Sequence, residues 1–199
     1  MSLVINEIKK PSKKKDFGRL EDGNHLARIV SVIDFGLQPQ TDWQTKEPVD
    51  PKKVVSITYE TPTETITMED KEGNKTEKPR WISKEYTLSF HEMAALRKVV
   101  DALKPDIESL DELLNVPCMI TVGSTATGNA KITAVSKPMK GMEVPELFGD
   151  SFHFDFSHPN MELFNGLYEW QQNKLKEALD YNGFADSDAP VDSTGTDEF

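Results

Sequence analysis

Residues 83–103 read SKEYTLSFHEMAALRKVVDAL, and a change of hydrophobic period within this stretch decides the fold. Up to Phe90, large residues alternate with serine, threonine and glutamate, and this period of two predicts a β-strand. Ser89 and Glu92 then have the spacing of a helix-capping box. From there to Leu103 apolar residues recur at every third or fourth position, which predicts an amphipathic helix. The stretch is therefore a strand that leads directly into a helix.

Two further strands are predicted before this stretch and two after it. The earlier strands cover residues 24–35 and 55–60, and the later strands cover residues 118–123 and 131–135. The first of them is apolar on both alternating sets, which is typical of a strand buried on both faces. The order strand, strand, strand, helix, strand, strand is that of the OB fold, a partly open Greek-key barrel. We therefore predict a mainly β protein, an OB-fold five-stranded barrel with a helix between strands 3 and 4.

Three segments are predicted to extend this barrel. Residues 36–51 are polar, contain three prolines and predict a long loop. Residues 63–81 predict an added hairpin that turns at Gly73. A C-terminal helix is predicted to begin near Pro159, and its apolar stripe includes Tyr168.

The formal net charge of the 199-residue chain is −11, and its distribution divides the chain into three parts. Residues 1–22 form a basic segment that is predicted to be flexible, and residues 183–199 form an acidic tail that is predicted to be disordered. Residues 23–182 are predicted to be the OB-fold domain with its C-terminal helical extension. Because this domain is itself acidic, a nucleic-acid site on it must be a local basic groove.

The sequence also indicates a compartment. Cys118 is the single cysteine and cannot form an internal disulfide, which favours a reducing environment. No apolar run approaches the roughly 18 residues that cross a bilayer. No apolar region follows the N-terminal lysines, so a secretory signal is not indicated. We expect a cytoplasmic protein that does not bind membranes.

Short motifs are distributed between Gly23 and Leu179. They are Gly23-x-x-x-Ala27-Arg28, Val32-Ile33-Asp34-Phe35-Gly36, Ser83-Lys84-x-Tyr86-Thr87-Leu88-Ser89 before Leu96-Arg97-Lys98, Lys131-Ile132 before Lys140-Gly141 and Pro145, and Phe164-x-x-Leu167-x-x-Trp170. In this order they resemble a family of tailed-phage single-stranded-DNA-binding proteins. The resemblance implies a non-enzymatic OB-fold protein that binds single-stranded DNA without sequence specificity. It also implies a role in phage DNA replication or recombination, in the cytoplasm of a bacterial host.

The acidic tail carries a second resemblance. Its acidic residues and terminal aromatic ring are Asp186, Asp188, Asp192, Asp197, Glu198 and Phe199. It resembles the tail of phage single-stranded-DNA-binding proteins of the T7 type, which implies that it recruits polymerase, helicase or primase. Two other interpretations stay open: the tail competes with DNA for a basic groove, or it is a disordered end without a task.

A protein that binds single-stranded DNA without sequence specificity needs aromatic rings for the bases and cations for the phosphates. The candidate rings are Trp43, Tyr59, Trp81 and Tyr86. The candidate cations are Arg28, Lys52, Lys53, Lys78, Arg80, Lys84, Lys131, Lys137 and Lys140. Tyr59 and Tyr86 also follow the apolar alternation of their strands, so a core position is the competing interpretation for both.

The sequence contains no recognisable catalytic constellation. His153-x-Asp155-x-x-His158 has no known metal-ligand spacing, and the glycines at 123 and 128 lack the lysine that completes a phosphate-binding P-loop. We therefore predict no enzyme activity, no cofactor and no metal. Two alternatives to DNA binding stay open: an acidic OB-like adaptor for other proteins, and a virion assembly component. A homodimer also stays open.

Overall fold

The computed structural model describes residues 19–69 and 73–184. In this part of the chain the strands are β1 (Gly23–Thr41), β2 (Pro48–Glu69), β3 (Lys75–Thr87), β4 (Pro117–Ser124), β5 (Ala130–Ser136) and β6 (Phe152–Phe154). The helices are α1 (Ala95–Leu103), α2 (Met161–Gly166) and α3 (Glu169–Lys176), and a 3₁₀ turn covers Leu110–Leu113. The prediction of a mainly β protein is confirmed.

The strands form one sheet in the order β3-β2-β1-β4-β5, and all neighbours on this path are antiparallel. The short strand β6 pairs with β1 in parallel. No backbone ladder joins β3 to β5 in the described residues, so the sheet is not closed and the predicted closure into a barrel is not confirmed. One side-chain bond crosses this open seam, from Lys84 Nζ to the carbonyl of Ile132 at 3.0 Å. This bond occupies a backbone carbonyl oxygen of β5 that could otherwise accept an N–H group from β3.

The first two strands form a longer ribbon than expected, because most of residues 36–51 belong to strands. β1 continues to Thr41, β2 begins at Pro48, and the connecting turn is limited to residues 42–47. The Asp42 carboxylate accepts two backbone N–H groups within this turn, at 2.8 and 2.9 Å. The predicted long loop is therefore wrong. A ribbon exposed on both faces needs no apolar alternation, so its sequence reads as a loop.

The helix after β3 also begins later than predicted. α1 begins at Ala95, and Ser89 does not cap it; the Ser89 hydroxyl instead accepts the N–H of His91 at 3.4 Å. A capping box is found in the 3₁₀ turn, between Ser109 and Glu112. The apolar stripe of α1 is nevertheless buried as expected, through Leu96, Val99, Val100 and Leu103.

β1 separates two hydrophobic cores. Val32 belongs to the first core, between the sheet and α1, and the adjacent Ile33 belongs to the second. Because adjacent residues of a strand point to opposite faces, β1 is buried on both faces, as its sequence predicts. The second core is made by the C-terminal segment, which we define as residues 152–184. The predicted C-terminal helix is divided there into α2 and α3.

The second core is rich in phenylalanine and closes on Phe184. The Phe184 ring lies 5.4 Å from the rings of Phe156 and Phe164. The segment approaches β1 closely at Gly36, where a Cβ atom would lie 2.8 Å from the Phe156 ring. Gly36 also has a positive φ of 69°, which a side chain would disfavour. Glycine is therefore required where the C-terminal segment crosses the ribbon.

Both domain boundaries lie slightly outside the predicted range of 23–182. Leu20 is buried in the first core and Phe184 in the second, so residues assigned to the flexible segment and to the tail belong to the fold. The remaining parts of the predicted basic segment and acidic tail lie outside the described residues. No helix in residues 19–69 and 73–184 is long and apolar enough to cross a membrane.

Candidate nucleic-acid interface

Three residues lie side by side on the face of the sheet opposite the first core. β2 runs between β1 and β3, and its register pairs Glu60 with Arg28 on one side and with Trp81 on the other. Tyr59, the residue before Glu60 on β2, points to the other face and into the first core. Glu60 is only 1% exposed, so this row includes a buried carboxylate.

Trp81 borders two cavities, one at the edge of β3 and one on this face. Its indole Nε1 donates to Glu60 Oε2 at 2.7 Å, and the side chain remains 48% exposed. One cavity, of 580 Å³, reaches from Trp81 to the β2–β3 hairpin, where Ile66, Met68 and Pro79 line it. The second, of 370 Å³, reaches from Trp81 to α3. Both contain Trp81 and Tyr168, and we call the two together the Trp81 groove.

Two further exposed rings line the groove, both supplied by the C-terminal segment. Tyr168 is the N-cap residue of α3 and is 60% exposed, and Trp170 lies in the first turn of α3 and is 50% exposed. The Trp170 ring packs on Phe35 of β1 with a centroid distance of 6.2 Å. The groove therefore presents three aromatic rings to solvent.

Tyr168 and Trp170 were not among the predicted site residues. The sequence placed Tyr168 on the apolar stripe of one continuous helix. The break at Leu167, where α2 is capped, turns Tyr168 outward instead. The signal in the sequence was weak: three of the five residues from Tyr168 to Gln172 are polar, although this stretch was assigned to a core-facing helix.

Three cationic side chains line the larger cavity: Arg19, Lys78 and Arg80. Lys78 is exposed on β3, where it pairs with Ile66 across the hairpin. Arg19 has other partners as well, because its Nη1 donates to Ser124 Oγ at 2.7 Å and to the carbonyl of Gly128 at 2.6 Å. Lys78 and Arg80 were predicted as site residues, and both line the cavity that Trp81 also borders.

Lys84 and Lys131 lie at the open seam rather than in the groove. They border a cavity between β3 and β5 that shares Ala130 with the groove. Lys84 is half-buried and bonds to the carbonyl of Ile132, and burial lowers the pKa of its amine. Lys131 is exposed. Of these two predicted cations, Lys131 has the more accessible charge.

The prediction that Tyr59 and Tyr86 stack on bases is wrong. Both side chains are buried in the first core, and their hydroxyl oxygens lie 3.2 Å apart. Burial raises the pKa of Tyr59 well above its usual value and raises that of Tyr86 to about 12. Neither ring has a face open to a ligand. The competing interpretation, a core position set by strand alternation, is the correct one.

The prediction that Arg28 binds DNA is also wrong, because its guanidinium is fully engaged. Nη1 donates to the carbonyl of Asn115 at 2.8 Å, Nε to that of Pro145 at 2.8 Å, and Nη2 to that of Val144 at 2.9 Å. Nη2 also pairs with Glu146 at 2.9 Å, and the side chain is only 13% exposed. Arg28 therefore holds residues 144–146 on the sheet.

The other predicted residues lie away from the groove. Trp43 is 76% exposed in the turn that connects β1 and β2, and Lys52 and Lys53 are exposed at the same end of β2. From Pro48 to Glu60 the strand runs for about twelve residues, or about 40 Å at ~3.3 Å per residue. The structure therefore does not bring Trp43 and Trp81 together.

Lys137 and Lys140 are exposed in the segment that follows β5. The predicted tail residues Asp186, Asp188, Asp192, Asp197, Glu198 and Phe199 lie outside the described residues. Within residues 19–69 and 73–184, no group of three histidine, cysteine, aspartate or glutamate side chains is arranged to hold a metal ion.

No protein-family model matches the sequence. No curated protein matches it either.

Proposed function

We propose that this chain binds single-stranded DNA without sequence specificity, with the Trp81 groove as its base-stacking site. The observation that carries the proposal is the presence of three exposed rings, Trp81, Tyr168 and Trp170, along one groove. An aromatic ring stacks on any base and contributes ~1–3 kcal/mol per base. Each of these rings keeps about half or more of its surface open to solvent, and a surface that collects three of them favours flat ligands.

The basic side chains beside the rings support the same proposal. Lys78 and Arg80 line the cavity next to Trp81, where a nucleic-acid backbone would follow the stacked bases. The chain as a whole carries a charge of −11, so the remaining surface does not attract phosphates. We expect binding that depends on salt with a shallow slope, because few phosphates are neutralised.

We also propose that the fold is of the OB type. The sheet order β3-β2-β1-β4-β5, with α1 between β3 and β4, agrees with that fold, and its barrels are partly open. The seam between β3 and β5 is then the unclosed part of the barrel. OB folds bind oligonucleotides on the face of strands 2 and 3, and the Trp81 groove lies against β2 and β3.

In this proposal the protein is not an enzyme; it protects single-stranded DNA during phage replication or recombination, in the cytoplasm of the host. The acidic residues between 186 and 198, with Phe199, would recruit replication proteins such as polymerase, helicase or primase. Deletion of residues 185–199 tests the competing interpretation. Tighter DNA binding at low salt would indicate that the tail also competes with DNA. Unchanged affinity would indicate that the tail binds partner proteins only.

The direct test is a titration of the full chain with fluorescently labelled oligo(dT), read by anisotropy at several salt concentrations. We expect binding at micromolar protein or tighter, weakened by salt. Trp81→Ala should lose most of this affinity, and Trp43→Ala is the matched control. If the unmodified chain does not bind at low salt, the proposal is wrong, and an acidic protein adaptor or virion component becomes the better hypothesis.

A further inference from the structure

The Glu60 carboxylate joins two separate elements through its two oxygens. Oε2 accepts the indole N–H of Trp81 at 2.7 Å, and Oε1 accepts the backbone N–H of Phe148 at 2.8 Å. Trp81 belongs to β3, whereas Phe148 belongs to the segment that follows β5. One side chain on β2 therefore fixes a ring of the groove and a distant loop at the same time.

The loop fixed in this way is held at a second point by Arg28. Arg28 binds the carbonyls of Val144 and Pro145, and Glu60 binds the N–H of Phe148, so residues 144–148 lie across β1 and β2. Val144 is buried, whereas the Phe148 ring is about half exposed. This brings the backbone of a fourth exposed aromatic residue to the same carboxylate that holds Trp81.

A carboxylate at this position needs an explanation, because burial of a charged group is unfavourable unless every oxygen is paired. Glu60 is 1% exposed, and both of its oxygens are satisfied by charge-assisted bonds. An apolar side chain would fill the same position with less penalty, but it could not orient an indole, whose only polar group is the N–H. The glutamate is therefore suited to fixing the direction of the Trp81 ring.

We propose that Glu60 is a positioning residue that holds Trp81 and the Phe148 loop as one rigid surface for stacked bases. The inference rests on the proposed function, because it explains how the ring of that groove is ordered before the ligand binds. A ring that is already fixed loses less conformational freedom on binding, which is worth about twofold to tenfold in affinity per side chain. Glu60 would act through Trp81 and would not contact DNA.

The first test is Glu60→Gln in the full chain, which keeps the volume of the side chain. Its amide oxygen can accept one N–H, but its amide nitrogen cannot accept the other. We expect oligo(dT) affinity to fall about twofold to tenfold. In a ¹H–¹⁵N spectrum of the indole groups, the Trp81 resonance should move and exchange faster with solvent, while those of Trp43 and Trp170 stay in place.

Glu64→Gln is the matched control. Glu64 lies on the same strand and pairs with His25 rather than with a tryptophan, so this variant should leave the Trp81 resonance unchanged. Combination with Trp81→Ala then isolates the mechanism. In the Trp81→Ala background, Glu60→Gln should weaken binding by a clearly smaller factor than in the unmodified chain, because the ring that it positions is absent.

The outcomes separate the two proposals. If Trp81→Ala binds DNA as tightly as the unmodified chain, the proposed function of the groove is wrong. If Trp81→Ala weakens binding but Glu60→Gln changes neither affinity nor the indole resonance, the function stands and the positioning role is overturned.

Trp81→Phe tests the same bond if Glu60→Gln does not fold, because it keeps an aromatic ring and removes the N–H. Trp170→Phe is its control, since no partner for the Trp170 indole N–H is found among the described residues. A clearly larger loss of affinity for Trp81→Phe than for Trp170→Phe supports the positioning role. Equal losses overturn it.

Discussion

Trp43, in the β1–β2 turn, and Trp81, on β3, are both exposed tryptophans, and they occupy very different surroundings. Trp43 is 76% exposed at the tip of the β1–β2 turn, away from both cores. Trp81 is less exposed, is bonded to a buried glutamate, and faces two other exposed rings across a groove. Trp81 is therefore the better binding candidate although it is less exposed, because it has neighbouring rings and a fixed orientation.

The largest effect is expected for Trp81→Ala. Loss of one base–aromatic stack should cost about 1–3 kcal/mol, or roughly fivefold to 150-fold in affinity for oligo(dT). Anisotropy titration at fixed low salt measures it, and thermal unfolding checks that the variant is folded. A change of less than twofold would remove the main distinction between the two tryptophans.

Trp170→Ala should have a smaller effect. The ring of Trp170 already packs on Phe35, so less of its surface is open to a base. We expect a loss near the lower limit for one stack, about 1 kcal/mol or roughly fivefold. The same titration measures it. An unchanged affinity would restrict the stacking site to Trp81 and Tyr168.

Lys78→Ala tests whether a cation near Trp81 contacts a phosphate. Lys52→Ala is its matched control, because Lys52 lies at the end of β2 near Trp43. If Lys78 contacts one phosphate, its loss should reduce the slope of log K against log salt concentration by about 0.7. Lys52→Ala should leave the slope unchanged. Equal changes in the two variants would indicate that DNA extends from the groove to the β1–β2 turn.

The smallest effect is expected for Trp43→Ala, which should change oligo(dT) affinity less than twofold, because no other predicted ring lies near Trp43. Titration with a short and a long oligo(dT) provides a sharper measurement. If the variant loses affinity only for the long oligonucleotide, the binding site extends from the groove to the turn.

Periodicity in the sequence was sufficient to predict the strands that form the first core. The alternation around Tyr86 and around Tyr59 identified both rings as core candidates, and they are buried. The sequence also identified Trp81 as a candidate ring, because it lies outside the apolar alternation of its strand, and the structure leaves this side chain 48% exposed. Local pattern is informative where one face of a strand is buried and the other is not.

The rest could not be predicted because it depends on contacts between distant parts of the chain. Arg28 appeared to be an available cation, but the carbonyls of Asn115, Val144 and Pro145 that engage it lie on segments far along the sequence. The exposure of Tyr168 depends on where the C-terminal segment crosses β1. A single sequence contains no local signal for either arrangement.

The second core also has a consequence for the order of events during synthesis. Ile33 and Phe35 are covered by residues that extend to Phe184, about 150 residues later. At ~5–20 residues per second, the ribosome needs roughly 8–30 s to synthesise the residues that cover this face of β1. Until then the face stays exposed to water and to other nascent chains. Tyr168 and Trp170 belong to the same late segment. The groove is therefore completed last, and an unfinished chain lacks two of its three exposed rings.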